Sequence, residues 1–226
     1  MTTAPAITVD GLVKRYGRTT AVDGVSFSVS PGDFVGLVGP NGAGKSTTIR
    51  VLTGQLQPTA GEVRVGGIDV VEDPGRVRAM IGYVPENPAL YEYLTAREML
   101  AFAIELRGSG SLDWGLEIAG LGVDADRLIR EYSQGMRRKT ALACALVAKP
   151  PVIVLDEALN GLDPSSVARV LGVLDTLRQE GAAVLLSTHV LDTLEKVASR
   201  IVLMQDGGVT ADVVITELES VRARLG

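Results

Sequence analysis

A glycine-rich segment at residues 39–47 carries the residue types that bind phosphate groups. Its sequence, GPNGAGKST, matches the pattern G-x-x-x-x-G-K-[ST]. The fixed positions of that pattern are Gly39, Gly44, Lys45 and Ser46. Glycines let the backbone curl so that successive N–H groups point at one anion, and the helix that follows adds its unpaired N–H groups. Lys45 is therefore predicted to reach the β- and γ-phosphates of a nucleotide, and the Ser46 hydroxyl to bind Mg²⁺.

Two acidic residues follow a continuously apolar run. Residues 152–155, VIVL, read as a buried strand that ends in Asp156 and Glu157. Parallel strands deliver such carboxylates to the sheet edge where a phosphate-binding loop also lies. Asp156 is predicted to hold Mg²⁺ through its water shell, and Glu157 to accept a proton from, or orient, the attacking water. A solvated strand end is the alternative for any Asp-Glu pair, and the phosphate-binding segment favours the catalytic interpretation.

The single histidine of the chain, His189, follows another apolar strand at residues 183–186. Its position predicts that it reaches the same sheet edge as Asp156. An imidazole there would hydrogen-bond the γ-phosphate and the attacking water. The alternative is a helix-capping or core histidine.

A polar segment at residues 132–139, YSQGMRRK, opens an apolar helix. Ser133 is a suitable N-cap, so helix capping alone would explain it. A second helix N-terminus that receives phosphate oxygens is the other interpretation, and sequence physics leaves both open. If this segment lies on the far side of the chain from the phosphate loop, it would serve the nucleotide of another subunit.

The elements that position these residues alternate between strands and helices. That alternation predicts an α/β fold with a mostly parallel sheet that binds ligands at its strand carboxyl ends, plus an N-terminal antiparallel β part. The predicted strands lie at residues 7–16, 25–29, 34–38, 62–65, 68–71, 81–84, 152–155, 183–186 and 201–204, with a hairpin turn at 206–208. The predicted helices lie at residues 46–52, 95–107, 113–121, 124–130, 133–148, 165–180 and 191–198, with a C-terminal helix opening at 216–219.

The chain of 226 residues is predicted to form one domain, 1–226. Residues 86–148 contain no clear strand and are predicted to form a helical subdomain, inserted between the two parts of the core at 1–85 and 149–226. Hydrophobic residues make up 46%, which is enough for a buried core. A net charge of −5 with no polybasic run predicts no nucleic-acid partner.

The N-terminal residues and the cysteine content bear on location. The first residues, MTTAPAITVDG, show no signal-peptide pattern, and no window approaches the ~18 apolar residues of a membrane span. A single cysteine, Cys144, excludes an intrachain disulfide, suits a reducing compartment and reads as a small buried hydrophobe. A cytoplasmic chain that reaches a membrane only through a partner is therefore expected.

The ordered set of motifs resembles the nucleotide-binding subunit of ABC transporters, over residues 7–204. GPNGAGKST is similar to the Walker A motif of that family, VIVLDE to Walker B and YSQGM to the signature. NGLD at residues 160–163 resembles the D-loop, and His189 the switch histidine. The resemblance implies a P-loop ATPase core with ATP and Mg²⁺ as cofactors, and Lys45, Glu157 and His189 as catalytic residues.

The resemblance also implies a set of ATP contacts. The residues expected to bind ATP within one chain are Tyr16, Gly39, Pro40, Asn41, Gly42, Ala43, Gly44, Lys45, Ser46, Thr47 and Glu86, with Tyr16 stacking on the adenine. Two subunits would pack head to tail and sandwich two ATP molecules. The residues expected to act in trans are Ser133, Gln134, Gly135, Met136 and Asp163. The partners would be a second copy or a homologous ATPase subunit, and a transmembrane permease that holds the chain peripherally at the inner face of the cell membrane.

The chain departs from the family pattern at several positions. Glu86 stands where a glutamine is usual, and its carboxylate is predicted to bind Mg²⁺ while adding negative charge near the γ-phosphate. Gln134 and Met136 replace a glycine and a glutamine of the signature, and Ala158-Leu159 replaces a usual Pro-Thr pair. The Glu86 and YSQGM variants resemble bacterial and archaeal exporters with separate permeases, which predicts export. The alternatives are a soluble ATPase or regulator that moves no solute, and an inactive ATP-sensing subunit.

Overall fold

The computed structural model describes residues 4–217, except for the side chain of Asp192. A four-stranded antiparallel sheet forms from the first half of the chain, in the order β2-β1-β4-β5. Its strands are β1 (Ile7–Tyr16), β2 (Thr19–Val29), β4 (Ala60–Val65) and β5 (Ile68–Asp69). Ile7 and Val9 of β1 are buried while Asp10 is exposed, as alternation predicts for a sheet with one covered face.

A six-stranded sheet holds the rest of the strands, in the order β10-β9-β3-β8-β7-β6. These strands are β3 (Phe34–Val38), β6 (Ile81–Val84), β7 (Val152–Asp156), β8 (Ala183–Thr188), β9 (Arg200–Gln205) and β10 (Gly208–Val214). All neighbouring pairs are parallel except β9 and β10, which form the predicted hairpin. The central strands β3, β7 and β8 are buried along their whole length, because both faces of the sheet are covered.

Six α-helices complete the described structure: α1 (Lys45–Leu52), α2 (Pro74–Met80), α3 (Ala96–Arg107), α4 (Leu112–Ala119), α5 (Gln134–Leu146) and α6 (Pro164–Gln179). One core, on one face of the six-stranded sheet, contains Phe34 and Leu155 and residues of α5 and α6. The other core contains Val35 and Val154 and residues of α1 and the antiparallel sheet. Neighbouring residues of one strand thus enter different cores, as the two-residue period of a strand requires.

The segment between β6 and β7 folds into α3, α4 and α5, which pack on one another. Thr95 and Glu98 form the predicted capping box at the start of α3. Cys144 of α5 packs against the first core, and burial raises the pKa of its thiol to about 12. The division of the chain into an ATPase core and a helical subdomain remains a prediction.

The predicted helix at residues 124–130 is wrong. The chain forms two short 3-10 turns instead, Gly122–Asp126 and Ile129–Glu131, and Leu128 between them pairs with Thr95. The amides of Ile129 and Arg130 donate to carbonyls of the segment before α3, at 2.8 and 2.9 Å. These bonds to a distant segment replace the helical ones.

The predicted helix at residues 191–198 is also wrong. Only Leu191–Thr193 forms a 3-10 turn. Leu194 is buried over Gly36 of β3, and the Ser199 amide donates to the Phe34 carbonyl at 2.8 Å. The chain is therefore drawn onto the sheet to begin β9 before a helix can extend.

Two further differences concern helix ends. The helix α2 lies outside the predicted elements, although Asp73 caps it by accepting from the Arg76 amide at 2.9 Å and Pro74 occupies its first turn. An Asp-Pro pair is a local signal for the start of a helix. The predicted C-terminal helix opening at 216–219 lies mostly outside the described residues, and its described beginning, Ile215–Glu217, is a 3-10 turn.

Candidate functional site

The glycine-rich segment forms a tight loop between β3 and α1, packed against neighbouring strands. A Cβ atom on Gly39 would lie 2.2 Å from the Met204 carbonyl oxygen, and one on Gly44 would lie 2.6 Å from that of Ala21. Gly44 also has a φ of 97°, which strains any other residue type. It caps α1 without a side-chain hydrogen bond. The start of α1 therefore keeps its first N–H groups for a ligand.

The Lys45 side chain lies inside this loop and is only 5% exposed. Its Nζ donates to the carbonyl oxygens of Gly39 at 2.7 Å and Pro40 at 3.2 Å. Nζ also forms an ion pair with Glu157 Oε1 at 3.4 Å. The ammonium group is thus held between the loop carbonyls and the carboxylate that follows β7.

Asp156 ends β7 as a buried carboxylate with two hydroxyl partners. Its Oδ1 accepts from Ser46 Oγ at 3.1 Å and from Ser187 Oγ at 2.7 Å. The β7–β8 register places Ser187 directly opposite Asp156. Ser187 was not predicted as a site residue; its polar side chain at the end of an apolar strand was the signal available.

Glu157 is buried and has a φ of 50°, in the left-handed region that non-glycine residues rarely adopt. Its N–H donates to Ser187 Oγ at 3.0 Å. Its Oε2 accepts from Asn160 Nδ2 at 2.9 Å and lies 3.1 Å from His189 Nδ1. Its Oε1 accepts no hydrogen bond from any described residue, although Lys45 is near. Backbone strain of this kind persists where the surroundings fix it, commonly at active sites.

A cleft of about 510 Å³ joins these groups. It is lined by most of the predicted residues, namely 41–47, Glu86, Glu157 and His189. Gly39 and Pro40 lie behind Lys45 and supply its carbonyl partners. Ala21 and Asn160 also line the cleft and were not among the predicted site residues. Asn160 stands in the NGLD motif, so its position could have been inferred from Asp163.

Tyr16 and Glu86 lie at less enclosed positions. Tyr16 ends β1, is about half exposed and lies outside the cleft lining, with Lys14 Nζ 5.3 Å from its ring centroid. Its stacking on adenine remains a prediction. Glu86 is exposed at the cleft, and its backbone carbonyl accepts from Arg138 Nη2 at 3.2 Å. Its role as a metal ligand also remains a prediction.

The residues predicted to act in trans lie outside the cleft lining. Ser133 caps α5 by accepting from the Met136 amide at 3.3 Å, followed by Gln134 and Gly135 in the first turn. Asp163 caps α6, accepting from the Ser166 amide and from the hydroxyls of Ser165 and Ser166. These bonds hold the pKa of the Asp163 carboxyl well below its usual range.

Ser133 and Asp163 are therefore helix caps, while their contact with a nucleotide of another subunit remains a prediction. Among residues 4–217, none of the helices combines the length and apolar character needed to cross a bilayer.

Known proteins of similar sequence and fold show which family the chain belongs to. The family model described as ABC transporter matches residues 22–160. The daunorubicin/doxorubicin resistance ATP-binding protein DrrA of Streptomyces peucetius is 40% identical over 228 residues, covering 97% of this chain and 69% of its own length. The Nod factor export ATP-binding protein I of Paraburkholderia xenovorans (strain LB400) is 38% identical over 208 residues, covering 89% of this chain and 68% of its own. The dimeric, post-hydrolysis structure of the ATP-binding cassette MJ0796 bound to ADP and Pi matches with a TM-score of 0.85 at 25% identity, covering 92% of this chain and 98% of that one.

Proposed function

This chain belongs to the ABC transporter family of ATP-binding proteins, and we propose that it hydrolyses MgATP to drive solute export through a separate transmembrane permease. The observation that carries the proposal is the convergence of Lys45, Glu157 and His189 on one cleft at the carboxyl edge of a parallel sheet. The direction of transport is supported by the names of its relatives, which concern drug resistance and Nod factor export.

The loop backbone and Lys45 would bind the nucleotide phosphates. The uncapped start of α1 offers N–H groups and the positive end of the helix dipole. Lys45 would exchange its carbonyl partners at Gly39 and Pro40 for phosphate oxygens, which carry full charge and accept stronger hydrogen bonds. This exchange would also separate Lys45 from Glu157. Nucleotide binding would thus leave the Glu157 carboxylate available to the attacking water.

Ser46 and Asp156 fit a magnesium ion, because a hydroxyl and a buried carboxylate lie 3.1 Å apart beside the phosphate-binding loop. Residues 4–217 contain no cluster of three or more acidic, histidine or cysteine ligands. Magnesium suits such a sparse site, since it keeps waters and takes phosphate oxygens as further ligands. When bound, the ion would supply positive charge to the β- and γ-phosphate oxygens. Glu86 at the cleft would be an additional oxygen ligand.

Glu157 would orient the attacking water and accept its proton. Asn160 and His189 both contact Oε2, which leaves Oε1 to accept a hydrogen bond from that water. The His189 side chain is about half exposed and lines the cleft, so it would contact the γ-phosphate. Hydrolysis would then depend mainly on positioning and electrostatics.

We propose that a second copy, or a homologous ATPase subunit, completes each site. The signature residues 133–136 and Asp163 lie outside their own chain's cleft, so they would reach a nucleotide bound by the partner. The MJ0796 cassette forms a dimer, which supports this arrangement. A two-fold axis would bury the same surface on both subunits and form two equal sites.

The permease would bind beside the helical segment, at a patch formed by Tyr91, Tyr93, Phe102 and Leu106. Tyr91 is 60% exposed, Tyr93 77% and Leu106 72%. Tyr91 packs edge-on against Phe102, with ring centroids 5.6 Å apart. Exposed aromatic groups in one patch are typical of protein-binding surfaces. Binding there would hold the chain peripherally at the cytoplasmic face of the cell membrane.

Steady-state ATP hydrolysis by the purified chain tests the enzymatic part of the proposal. Lys45→Ala is expected to lower turnover at least about 100-fold, because the phosphates lose their buried cation. Lys149→Ala is the matched control, since Lys149 pairs with Glu180 on the surface and does not line this cleft. Full turnover in Lys45→Ala would refute the assignment. Co-purification with membranes would support a transport subunit, whereas co-purification with ribosomes would support a soluble ATPase that moves no solute.

A further inference from the structure

Arg138 of α5 contacts two loops of the nucleotide cleft without lining the cleft itself. Its Nη2 donates to the backbone carbonyl of Glu86 at 3.2 Å. Its Nη1 lies 3.1 Å from the position that a Cβ on Gly161 would occupy. The guanidinium group therefore packs between the segment after β6 and the backbone of the loop after β7.

Both loops carry residues that face the nucleotide cleft. Glu86 lines it directly. Asn160, the neighbour of Gly161, also lines it and donates to Glu157 Oε2 at 2.9 Å. Arg138 thus lies next to the residue that contacts Glu157, and it touches Glu86 only through that residue's backbone carbonyl.

The contact of Arg138 with the Glu86 carbonyl lies beside a space between the segment after β6 and α5. A cavity of about 110 Å³ separates the residues after Glu86 from the start of α5, and Asn87, Pro88, Gln134, Arg137 and Arg138 line it. Segments separated by a cavity change their spacing more readily than close-packed ones. A planar, rigid guanidinium can donate to one segment while it packs against another, which a lysine ammonium on a flexible stem does less well.

The neighbouring Arg137 connects the same turn of α5 to the exposed aromatic patch. Its Nη1 donates to Glu92 Oε1 at 2.8 Å, and Glu92 lies between Tyr91 and Tyr93. Consecutive arginines of α5 therefore contact the loops of the cleft and the surface where the permease is expected to bind.

We propose that Arg138 is a positioning residue for ATP hydrolysis, which sets the distance of the Glu86 and Asn160–Gly161 loops from α5. By fixing these loops it keeps Glu86 and the Asn160–Glu157 pair in place in the cleft. The signature residue Ser133 caps α5, the helix that carries Arg138. Arg138 would therefore connect the cleft of one chain to the helix that is proposed to serve the nucleotide of the partner. The inference rests on the proposed function, since it assumes that ATP is hydrolysed in this cleft.

Steady-state kinetics of Arg138→Gln test this role. Glutamine is too short to reach both loops, so kcat is expected to fall about 3- to 30-fold, the range typical of residues that couple two sites without touching either ligand. The Kd for ATP is expected to change less than about twofold, because Arg138 does not line the cleft. Arg138→Lys is expected to recover part of kcat, since an ammonium group still donates to the Glu86 carbonyl.

Hydrogen exchange gives a second readout that does not depend on turnover. In the nucleotide-free chain, Arg138→Gln is expected to speed amide exchange in residues 86–90 and 158–162, leaving the strands unchanged. Arg97→Gln is the matched control, because Arg97 of α3 forms an ion pair with the surface residue Asp126 and does not line the cleft. It is expected to keep the wild-type kcat and exchange pattern.

Two outcomes would overturn the proposal. One is wild-type kcat and wild-type exchange in Arg138→Gln. The other is a parallel loss of kcat and ATP affinity that Arg138→Lys does not relieve, which would indicate general destabilisation. The proposed function is tested separately, by whether Lys45→Ala abolishes the ATP turnover seen in the wild-type chain. If the wild-type chain hydrolyses ATP, either outcome counts against the role of Arg138 alone.

Discussion

Glu157 combines three features that seldom coincide at one residue: a buried carboxylate, a left-handed backbone and three different partners. Asn160 and His189 occupy one oxygen, and Lys45 is the only cation near the other within the described contacts. The carboxylate therefore stays oriented toward the cleft without being fully hydrogen-bonded. Such a group can act on water at little reorganisation cost, which is how preorganised sites accelerate reactions.

Glu157→Gln is expected to lower ATP turnover at least about 100-fold, because an amide cannot accept the proton of the attacking water. ATP binding is expected to persist, since glutamine keeps the size of the side chain and an acceptor for Asn160. Single-turnover hydrolysis and equilibrium nucleotide binding would measure the two effects. Glu180→Gln, which changes an exposed carboxylate paired with Lys149, is the matched control. Normal turnover in Glu157→Gln would show that another group accepts the proton of the attacking water.

Ser187 is the residue that joins the two acids, and Ser187→Ala tests that role. The change removes the hydroxyl bonded to Asp156 and to the Glu157 amide. We therefore expect kcat to fall about 10- to 100-fold and the Mg²⁺ concentration needed for half-maximal turnover to rise. Ser199→Ala is the control, because Ser199 donates to the Phe34 carbonyl in the same sheet at 3.1 Å. An Mg²⁺ titration that is identical in wild type and Ser187→Ala would contradict the role.

At the scale of elements, the six-stranded sheet brings the site together because its central strands are parallel. β3 leads into the phosphate-binding loop, β7 ends at Asp156, and β8 ends one residue before His189. Parallel strands place these ends on one edge, and the fixed register aligns Asp156 with Ser187. Helix caps then hold the loops that follow the strands, as Asp163 does at the start of α6.

The charge of Asp163 is expected to stabilise the fold in a pH-dependent way. Its hydrogen bonds lower the pKa of the folded-state carboxyl below the ordinary 3.8. A depressed pKa contributes stability above the unfolded-state value, and this contribution is lost as the pH falls toward the folded-state value. Asp163→Asn keeps a capping oxygen and removes the charge. The difference in unfolding free energy between wild type and Asp163→Asn should therefore be largest at pH 7 and become smaller below about pH 4.

Urea unfolding of both proteins between pH 7 and pH 3.5 or so would measure this difference. If the difference in unfolding free energy stays constant over that range, the negative charge of Asp163 does not contribute to the stability of the fold.

At the scale of the whole molecule, the signature residues at the start of α5 lie apart from the nucleotide cleft of the same chain. Residues 41–47 line the cleft, whereas Ser133 caps α5 outside it. In the proposed dimer, the cleft of each chain would be completed by the signature residues of the other. The exposed aromatic patch around Tyr93 is the surface at which the proposed permease would bind.

Mixing two defective chains tests this pairing. Lys45→Ala and Ser133→Ala alone are each expected to lose most ATP turnover. A one-to-one mixture should recover up to about a quarter of the wild-type rate, because random pairing gives half mixed dimers with one intact site each. Turnover per wild-type chain should also fall on dilution below the dimer dissociation constant. A Ser133→Ala chain with full turnover, or a dilute monomer with the wild-type rate, would contradict the shared site.

Several elements and most of the phosphate-binding cleft follow from the sequence. The strands β1, β3 and β6 have the predicted bounds, because their apolar patterns and flanking turns are local. The helices at 124–130 and 191–198 were predicted wrongly, because Leu128 and Leu194 are held by distant segments that a local pattern does not contain. The α2 helix was missed although its Asp-Pro start signal is local.

The glycines before Lys45 and the acids after an apolar strand each lie within a few residues, so the order of amino acids alone predicts their chemistry. The side chains that support these groups come from distant segments, which the fold brings together. Ser187 bonds Asp156 across 31 residues, and Arg138 reaches Glu86 across 52. Such contacts depend on strand register and helix packing, which arise when the whole core is buried and are not encoded in any single segment.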